Sequence, residues 1–213
     1  MNTLVIALRA TLATLVVTGL AYPLAMTGVV QVVFSDKANG SLVRDETHKV
    51  VGSRLIGQAF TNPAYLQGRP SAAGSGYDAT ASGGSNLATA STKLRDRFKA
   101  DVARLQRENS EAGASIPAEL VTASASGLDP HLSPAAARWQ LPRIASARHV
   151  DLARLERTLQ DLIEGRDLGF LGEPTVNVLM LNLALDRQFG RPPAPPIPAP
   201  AAAAAQPGPA PGP

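Results

Sequence analysis

Five glycines lie within twenty residues of this chain, and part of the stretch has the spacing of a phosphate-binding loop. Residues 74–79, GSGYDA, fit the pattern G-x-G-x-x-[GA], whose glycines let the backbone approach a pyrophosphate at the start of a helix. That pattern should follow a buried strand and open into a helix, whereas Pro63 and Pro70 precede it here and more glycine and serine follow. We therefore expect residues 68–87, hereafter the glycine loop, to have a structural role. Its glycines are Gly68, Gly74, Gly76, Gly83 and Gly84.

Other residue types that perform chemistry are scarce. The chain has no cysteine, which excludes disulfides and thiolate metal sites, and its three histidines lack the spacing of metal ligands. No G-x-S-x-G elbow or recognisable pair of catalytic carboxylates occurs. The sequence therefore predicts no catalytic residue and no metal site, and a secreted hydrolase would lack a placed serine nucleophile.

One aromatic and amide pair is distinctive. Trp139 is the single tryptophan, and Gln140 follows it directly. Such a pair could stack on and hydrogen-bond an adenine, so these two residues are the candidates for any contact with ATP. A lone tryptophan more often belongs to a core or an interface, and we favour that role.

The charge of the chain does not indicate a nucleic-acid partner. The sequence pI is about 9.6, yet residues 35–190 hold 18 lysines and arginines against 17 aspartates and glutamates. Aromatic residues make up only 4% of the chain, too few for a base-stacking surface. We predict no nucleic-acid binding.

Near the N-terminus, residues 10–34 contain no charged side chain. As a helix they would span roughly 37 Å, enough to cross a hydrocarbon core of about 30 Å. Gly19, Pro23 and Gly28 are tolerated in membrane helices, where small residues let a partner helix approach closely. We predict one span in contact with lipid and a partner helix, preceded by a short segment, residues 1–9.

A cleaved signal peptide is the alternative, because Arg9 precedes the apolar run and Gly19 and Ala21 could flank a cleavage site. Thirteen further uncharged residues follow Ala21, more than an export signal needs, so we favour the retained anchor. The lysines and arginines after Phe34 would place the following domain in the cytoplasm, but long domains cross membranes largely regardless of charge.

Residues 35–190 have the size of one domain, for which we predict an α+β fold. The patterns predict a hairpin or two short strands in 41–60, helices in 91–109 and 151–165, and a strand in 118–124. A further helix is expected to begin at Pro174, and Pro134 fits the first position of another. Residues 191–213, rich in proline and alanine, predict a disordered or polyproline tail.

Taken together, four blocks identify a family. They are GSLV, VGSRLIGQAFTNPAYLQGRPSAAGSGYDATASGGSNL, ELVTASASGLDPHLSPAAARWQLPRIASAR and GEPTVNVLMLNLALD. In this order behind one apolar N-terminal segment, they closely resemble the C subunit of the bacterial Kdp potassium-transporting ATPase, over about residues 10–190. Blocks of this length are far more specific than the lone glycine pattern.

This resemblance implies an accessory, non-catalytic subunit of a P-type potassium pump in the bacterial inner membrane, with the soluble domain outside the cytoplasm. The implied partners are the channel-like A subunit, the P-type ATPase B subunit and a small single-span F subunit. The family is also described as a catalytic chaperone that raises the ATP affinity of the B subunit, but a domain outside the membrane lies away from cytoplasmic ATP. We therefore favour a role in assembly, with ATP contacted only within the complex. In that role the five glycines of the glycine loop are expected to adopt positive φ and to present backbone N–H groups to a neighbouring protein, so Gly68, Gly74, Gly76, Gly83 and Gly84 are predicted partner contacts. The alternative function is a membrane-anchored extracytoplasmic ligand-binding protein that works without a pump.

Overall fold

The computed structural model describes residues 2–45 and 47–193, and its first feature is one long apolar helix. The helix comprises α1 (Asn2–Val16), a π-helical turn (Val17–Ala21) and α2 (Tyr22–Val33). It is long and apolar enough to cross a membrane, since an 18-residue stretch within it has a mean hydropathy of 2.0, and none of its residues is buried against the rest of the chain. The helix begins at Asn2, so most of the short segment predicted to precede the span, residues 1–9, is helical.

Proline explains the π-helical turn. Pro23 has no N–H, and its ring would collide with the carbonyl of Gly19, one turn earlier in an α-helix. The wider turn relieves this conflict, and the backbone N–H of Tyr22 donates to the carbonyl of Val17, five residues back. The helix therefore continues through the proline instead of ending there.

A short connector joins the helix to the domain. The turn α3 (Ser35–Ala38) leads into strand β1 (Leu42–Arg44), which pairs antiparallel with β2 (Val50–Ser53). The predicted hairpin is thus confirmed. The N–H of Ser41 donates to the carbonyl of Asp36 at 2.9 Å, which ties the start of the hairpin to the turn α3 that follows the apolar helix.

Helix α4 (Thr92–Glu108) confirms the helix expected in 91–109. The strand expected in 118–124 is wrong, because residues Ala118–Leu120 form a 3₁₀ turn. The N–H groups of Val121 and Thr122, together with the Thr122 hydroxyl, all bond back to the carbonyl of Ala118. These local bonds close a turn and leave the β-branched residues without a strand to pair with.

The second sheet consists of very short strands. Strands β3 (His131–Leu132), β4 (Ile163–Glu164) and β5 (Thr175–Asn177) pair antiparallel in the order β3-β5-β4. Helix α7 (Val178–Phe189) follows β5 directly. The expected start of this helix at Pro174 is wrong, because the next three residues pair with strands on both sides, and the Asn177 side chain then caps the helix by accepting from Met180 N.

Helices α5 (Pro134–Arg148) and α6 (Leu152–Asp161) complete the domain. Pro134 occupies the first turn of α5 as predicted, and the Ser133 hydroxyl caps it by accepting from Ala136 N. Leucines of α5, α6 and α7 form the main core with β3 and β5, which confirms the α+β class. Its fully buried large apolar side chains are Leu66, Leu132, Leu141, Ile144, Leu155, Leu159, Val176, Leu181 and Leu185.

The chain beyond α7 is described for three residues of the predicted tail. The Arg191 side chain lies 3.6 Å from the Asp186 carboxylate, and the carbonyl of Pro193 accepts a bond from the Asn62 amide at 3.2 Å. The disordered or polyproline character of residues 191–213 stays a prediction. Residues 194–213 lie outside the described residues.

Candidate functional site

The glycine loop is preceded by a segment, residues 62–67, that begins with a turn, in which the N–H of Tyr65 donates to the carbonyl of Asn62, and that is held by side chains instead of by a neighbouring strand. The Asn182 amide accepts from the N–H of Leu66 at 2.8 Å and donates to its carbonyl at 2.9 Å. The Gln140 amide does the same for the next residue, Gln67, with both bonds at 3.0 Å. Two side-chain amides from α5 and α7 thus replace the hydrogen bonds of a sheet.

Two arginines of α5 satisfy the remaining carbonyls of this segment. Arg143 donates to the carbonyls of Pro63 and Tyr65, and Arg148 donates to that of Ala64 at 2.7 Å. We call these four side chains and the segment that they hold the amide–arginine clamp; the side chains are Gln140, Arg143, Arg148 and Asn182.

Arg143 is the most unusual member of the clamp because it is 7% exposed and no carboxylate among the described residues pairs with it. Its other donors bond to the side-chain oxygens of Asn109 and Gln140, at 2.9 and 2.8 Å. Burial lowers the pKa of Arg143 to about 10, so the guanidinium stays charged at neutral pH. Neutral carbonyl dipoles therefore compensate a buried charge, and loss of the arginine would leave several of them unsatisfied.

The proposed adenine pair is used within the fold. Gln140 is 2% exposed, and its oxygen and nitrogen both bond to Gln67. Trp139 is half-buried, and its indole N–H donates to the carbonyl of Gly113 at 2.8 Å. Adjacent residues on a helix point about 100° apart. The structure therefore gives each of the two side chains its own role within the fold. From the sequence, such a role is expected for the tryptophan alone.

The glycine loop folds back onto residues 124–129. The Ser71 hydroxyl donates to the carbonyl of Gly127 at 2.6 Å and accepts from the N–H of Tyr77 at 2.7 Å. The N–H of Gly83 donates to the carbonyl of Ser126 at 2.9 Å. Burial, with the nearby Asp129 charge, raises the pKa of Tyr77 to about 12, and its phenol donates to the carbonyl of Arg69. These internal bonds give the loop a defined shape.

The glycines of the loop serve two different purposes. Gly74 and Gly76 adopt the predicted positive φ, at +53° and +112°. Gly68, Gly83 and Gly84 do not, which corrects the expectation for them. At Gly68 and Gly84 the reason for glycine is instead close approach, because an added Cβ would collide with the Tyr77 phenol and the Ala125 carbonyl respectively, whereas Gly83 has open space.

Gly83 and Gly84 therefore form a matched pair for a test. A Cβ on Gly84 would lie 2.9 Å from the Ala125 carbonyl oxygen, whereas the nearest atom to a Cβ on Gly83 is 4.0 Å away. We expect Gly84→Val to lower the free energy of unfolding by roughly 1–3 kcal/mol through overpacking. Gly83→Val should change it by less than about 0.5 kcal/mol. Chemical unfolding of both variants measures the difference. Equal effects would show that the loop can move to accommodate the added side chain without loss of stability.

A cavity of about 220 Å³ lies beside the clamp and the glycine loop. Arg69 and Arg104 line it, but each is paired with a carboxylate, with Asp129 at 3.1 Å and Glu108 at 3.0 Å. Their charges are therefore neutralised and less available to a phosphate. Within the described ranges, 2–45 and 47–193, no cluster of three or more potential metal ligands occurs.

The predicted contact residues of the membrane helix are exposed in the chain alone. Gly19, Pro23 and Gly28 are all exposed, and a Cβ at Gly28 would meet no atom of the described residues within 4 Å. These three residues and the five glycines of the glycine loop are therefore two separate sets of predicted partner contacts. Their role in binding a partner helix remains a prediction.

Comparison with known proteins gives one consistent result. The family model described as KdpC, K+-transporting ATPase, c chain, matches residues 4–187. The Potassium-transporting ATPase KdpC subunit of Myxococcus xanthus is 58% identical over 189 residues, which cover 89% of this chain and 90% of that protein. The subunits of the same name from Caulobacter vibrioides (strain NA1000 / CB15N) and Koribacter versatilis are 54% and 53% identical, and the matches cover 82% and 83% of this chain and 87% and 90% of those proteins.

The match includes both parts of the molecule, because residues 4–187 contain nearly all of the apolar helix and all the strands of the domain. The apolar helix fits a single-pass membrane protein. The chain therefore belongs to the KdpC family and is a subunit of a K+-transporting ATPase, the Kdp pump.

Proposed function

We propose that the chain stabilises the assembly of the Kdp pump and has no catalytic activity of its own. The observation that carries this proposal is the family match across both helix and domain. The partners would be the channel-like A subunit, the P-type ATPase B subunit and a small single-span F subunit. The rigid clamp and the internally bonded glycine loop support a scaffold, since they present a defined surface for a neighbouring protein to contact.

Loss of function in the cell tests this proposal. A host that expresses the other pump subunits without this chain should fail to grow when potassium is scarce, and its membranes should contain little assembled pump. Expression of the chain from a plasmid should restore both. Normal pump levels without the chain would contradict a role in assembly, and restored levels with no potassium uptake would point to a role in turnover.

The topology is part of the same proposal. We propose that the helix stays in the mature chain in the inner membrane, with the N-terminus in the cytoplasm and residues 35–190 outside. The continuous apolar helix of 32 residues supports a complete span. Protease added to spheroplasts should digest the domain. Protection of the domain, or a mature chain that starts near Tyr22, would refute this arrangement.

For ATP, we propose that the chain alone does not bind it and that any contact requires the assembled complex. The support is chemical: the Gln140 amide is occupied by Gln67, and the arginines of the adjacent cavity are paired with carboxylates. Trp139 is the single tryptophan, so its fluorescence reports on this region directly. Titration of the full chain in detergent with ATP should leave its emission unchanged. A saturable change that Gln140→Ala abolishes would support direct nucleotide binding instead.

A further inference from the structure

The turn that joins β4 to β5 carries an exposed apolar tip, which we define as Leu168, Phe170 and Leu171. Their exposed fractions are 82%, 69% and 49%. Large apolar side chains that cluster on a surface in this way mark sites of interaction with a protein or a membrane. None of these three side chains packs against the main core, so packing within the domain does not account for their apolar character.

The tip is held in this shape by its own backbone. The N–H groups of Phe170 and Leu171 donate to the carbonyl of Asp167, and the Arg166 guanidinium pairs with Glu173 at 2.8 Å. Leu168 adopts a φ of +52°, a conformation that is uncommon for a side chain of this size. The fold therefore presents the apolar side chains outward on an ordered turn.

The base of this turn lies close to the point where the chain leaves the apolar helix. Glu164, at the end of β4, pairs with Arg54 at 3.5 Å. The N–H of Arg54 donates to the carbonyl of Ser41 at 3.1 Å, and the N–H of Ser41 donates to the carbonyl of Asp36. A chain of three contacts therefore links the base of the turn that carries the apolar tip to the residues that follow the apolar helix.

The direction of α7 places the turn at the same end of the domain. The helix begins where Asn177 donates to the carbonyl of Arg54 at 2.8 Å, next to the connector. It ends where Asp186 lines a cavity of about 300 Å³ together with Thr47, in the turn of the hairpin. Because Arg54 contacts both Glu164 and Asn177, the base of the turn that carries the apolar tip lies at the end of α7 that is next to the connector.

Charges around the tip do not form a basic surface. Arg54 and Arg166 are each paired with a glutamate, and Asp167 adds a negative charge. Attraction to anionic lipid headgroups would therefore contribute little, and the apolar side chains are the groups that can bind.

We propose that the apolar tip inserts into the interfacial layer of the same bilayer that holds the N-terminal helix. The domain is then attached at two points, which fixes its orientation above the membrane. Leucine and phenylalanine at this depth bury their side chains at the boundary between headgroups and acyl chains. This inference rests on the proposed retention of the helix as an anchor.

A tryptophan placed at the tip tests the insertion. The full-length variant Trp139→Phe, Phe170→Trp is reconstituted into phosphatidylcholine vesicles that contain lipids brominated on their acyl chains. We expect a blue-shifted emission maximum and loss of most of the intensity relative to vesicles without bromine. Addition of salt or of anionic lipid should leave this quenching unchanged.

The matched control is Trp139→Phe, Thr47→Trp, at the opposite end of the hairpin, where aqueous iodide and not brominated lipid should quench. An emission at position 170 that responds only to iodide overturns the proposal. The proposal is also overturned if the tryptophan at position 170 is protected from both quenchers only when the other pump subunits are present. That result would show that the tip binds in a pocket of another subunit. A chain that an alkaline wash removes from the vesicles would instead refute the anchor.

Discussion

Replacement of Arg143 by methionine is expected to lower the free energy of unfolding by roughly 3–5 kcal/mol, because it leaves several buried neutral acceptors without a donor, at about 1–3 kcal/mol each. Arg143 is 7% exposed and donates to two backbone carbonyls and to the side chains of Asn109 and Gln140. Methionine fills similar space but donates nothing, so these acceptors would lose their partner. Residues 62–67 would then be held by the two amides and Arg148 alone.

Arg138 on the same helix provides the control. Its side chain is 43% exposed and bonds to Gln160 and Glu156 at the surface. Arg138→Met should therefore cost less than about 1 kcal/mol. Urea unfolding of the full chain in mild detergent, followed by the fluorescence of Trp139, measures both variants. Similar small losses for the two would show that the clamp contributes little to stability.

The second large effect is expected at Gly127, where alanine should cost roughly 2–4 kcal/mol from the sum of backbone strain and overpacking. Gly127 has a φ of +69°, and a Cβ there would lie 2.6 Å from the Cβ of Ala73 and 2.7 Å from its backbone nitrogen. Neither conflict can be relieved by rotating a flexible side chain. The glycine loop would have to move away from residues 124–129.

Gly165 provides the comparison, because it has no positive φ and a Cβ there would meet no atom within 4 Å. Gly165→Ala should change the free energy of unfolding by less than about 0.5 kcal/mol. Amide exchange adds a local readout: the N–H of Gly83 bonds to the carbonyl of Ser126, and its protection should fall in the Gly127→Ala variant. Unchanged protection and stability would mean that the loop is not locked by this contact.

Sequence patterns were sufficient for the elements that have a repeating signal. The apolar helix, the hairpin and α4 to α6 follow from runs, periodicity and capping residues in the sequence. The strands β3 to β5 have two or three residues each, too few for any periodic pattern to appear. For this reason the sequence pattern predicts that α7 begins at Pro174, before β5, although Asn177 is a good capping residue.

The clamp could not be predicted because its members have no sequence relationship. Gln140 and Asn182 belong to different helices, and they become equivalent only when both bond to adjacent residues, Gln67 and Leu66. Asparagine within the apolar sequence of α7 was a visible signal, since a buried amide must find partners. Gly127 gave no signal of its own, because the need for glycine arises from Ala73, far away in sequence.

The central claim, that this chain is an assembly subunit of the Kdp pump, is tested most directly by what accompanies it from the membrane. The full chain is tagged, expressed with its chromosomal neighbours under potassium limitation, and purified in a mild detergent. We predict that a channel-like subunit and a P-type ATPase subunit copurify with it in fixed ratio, and that the Gly127→Ala variant recovers less of both. A chain that purifies alone, while the other two subunits form an intact pump without it, would contradict the account.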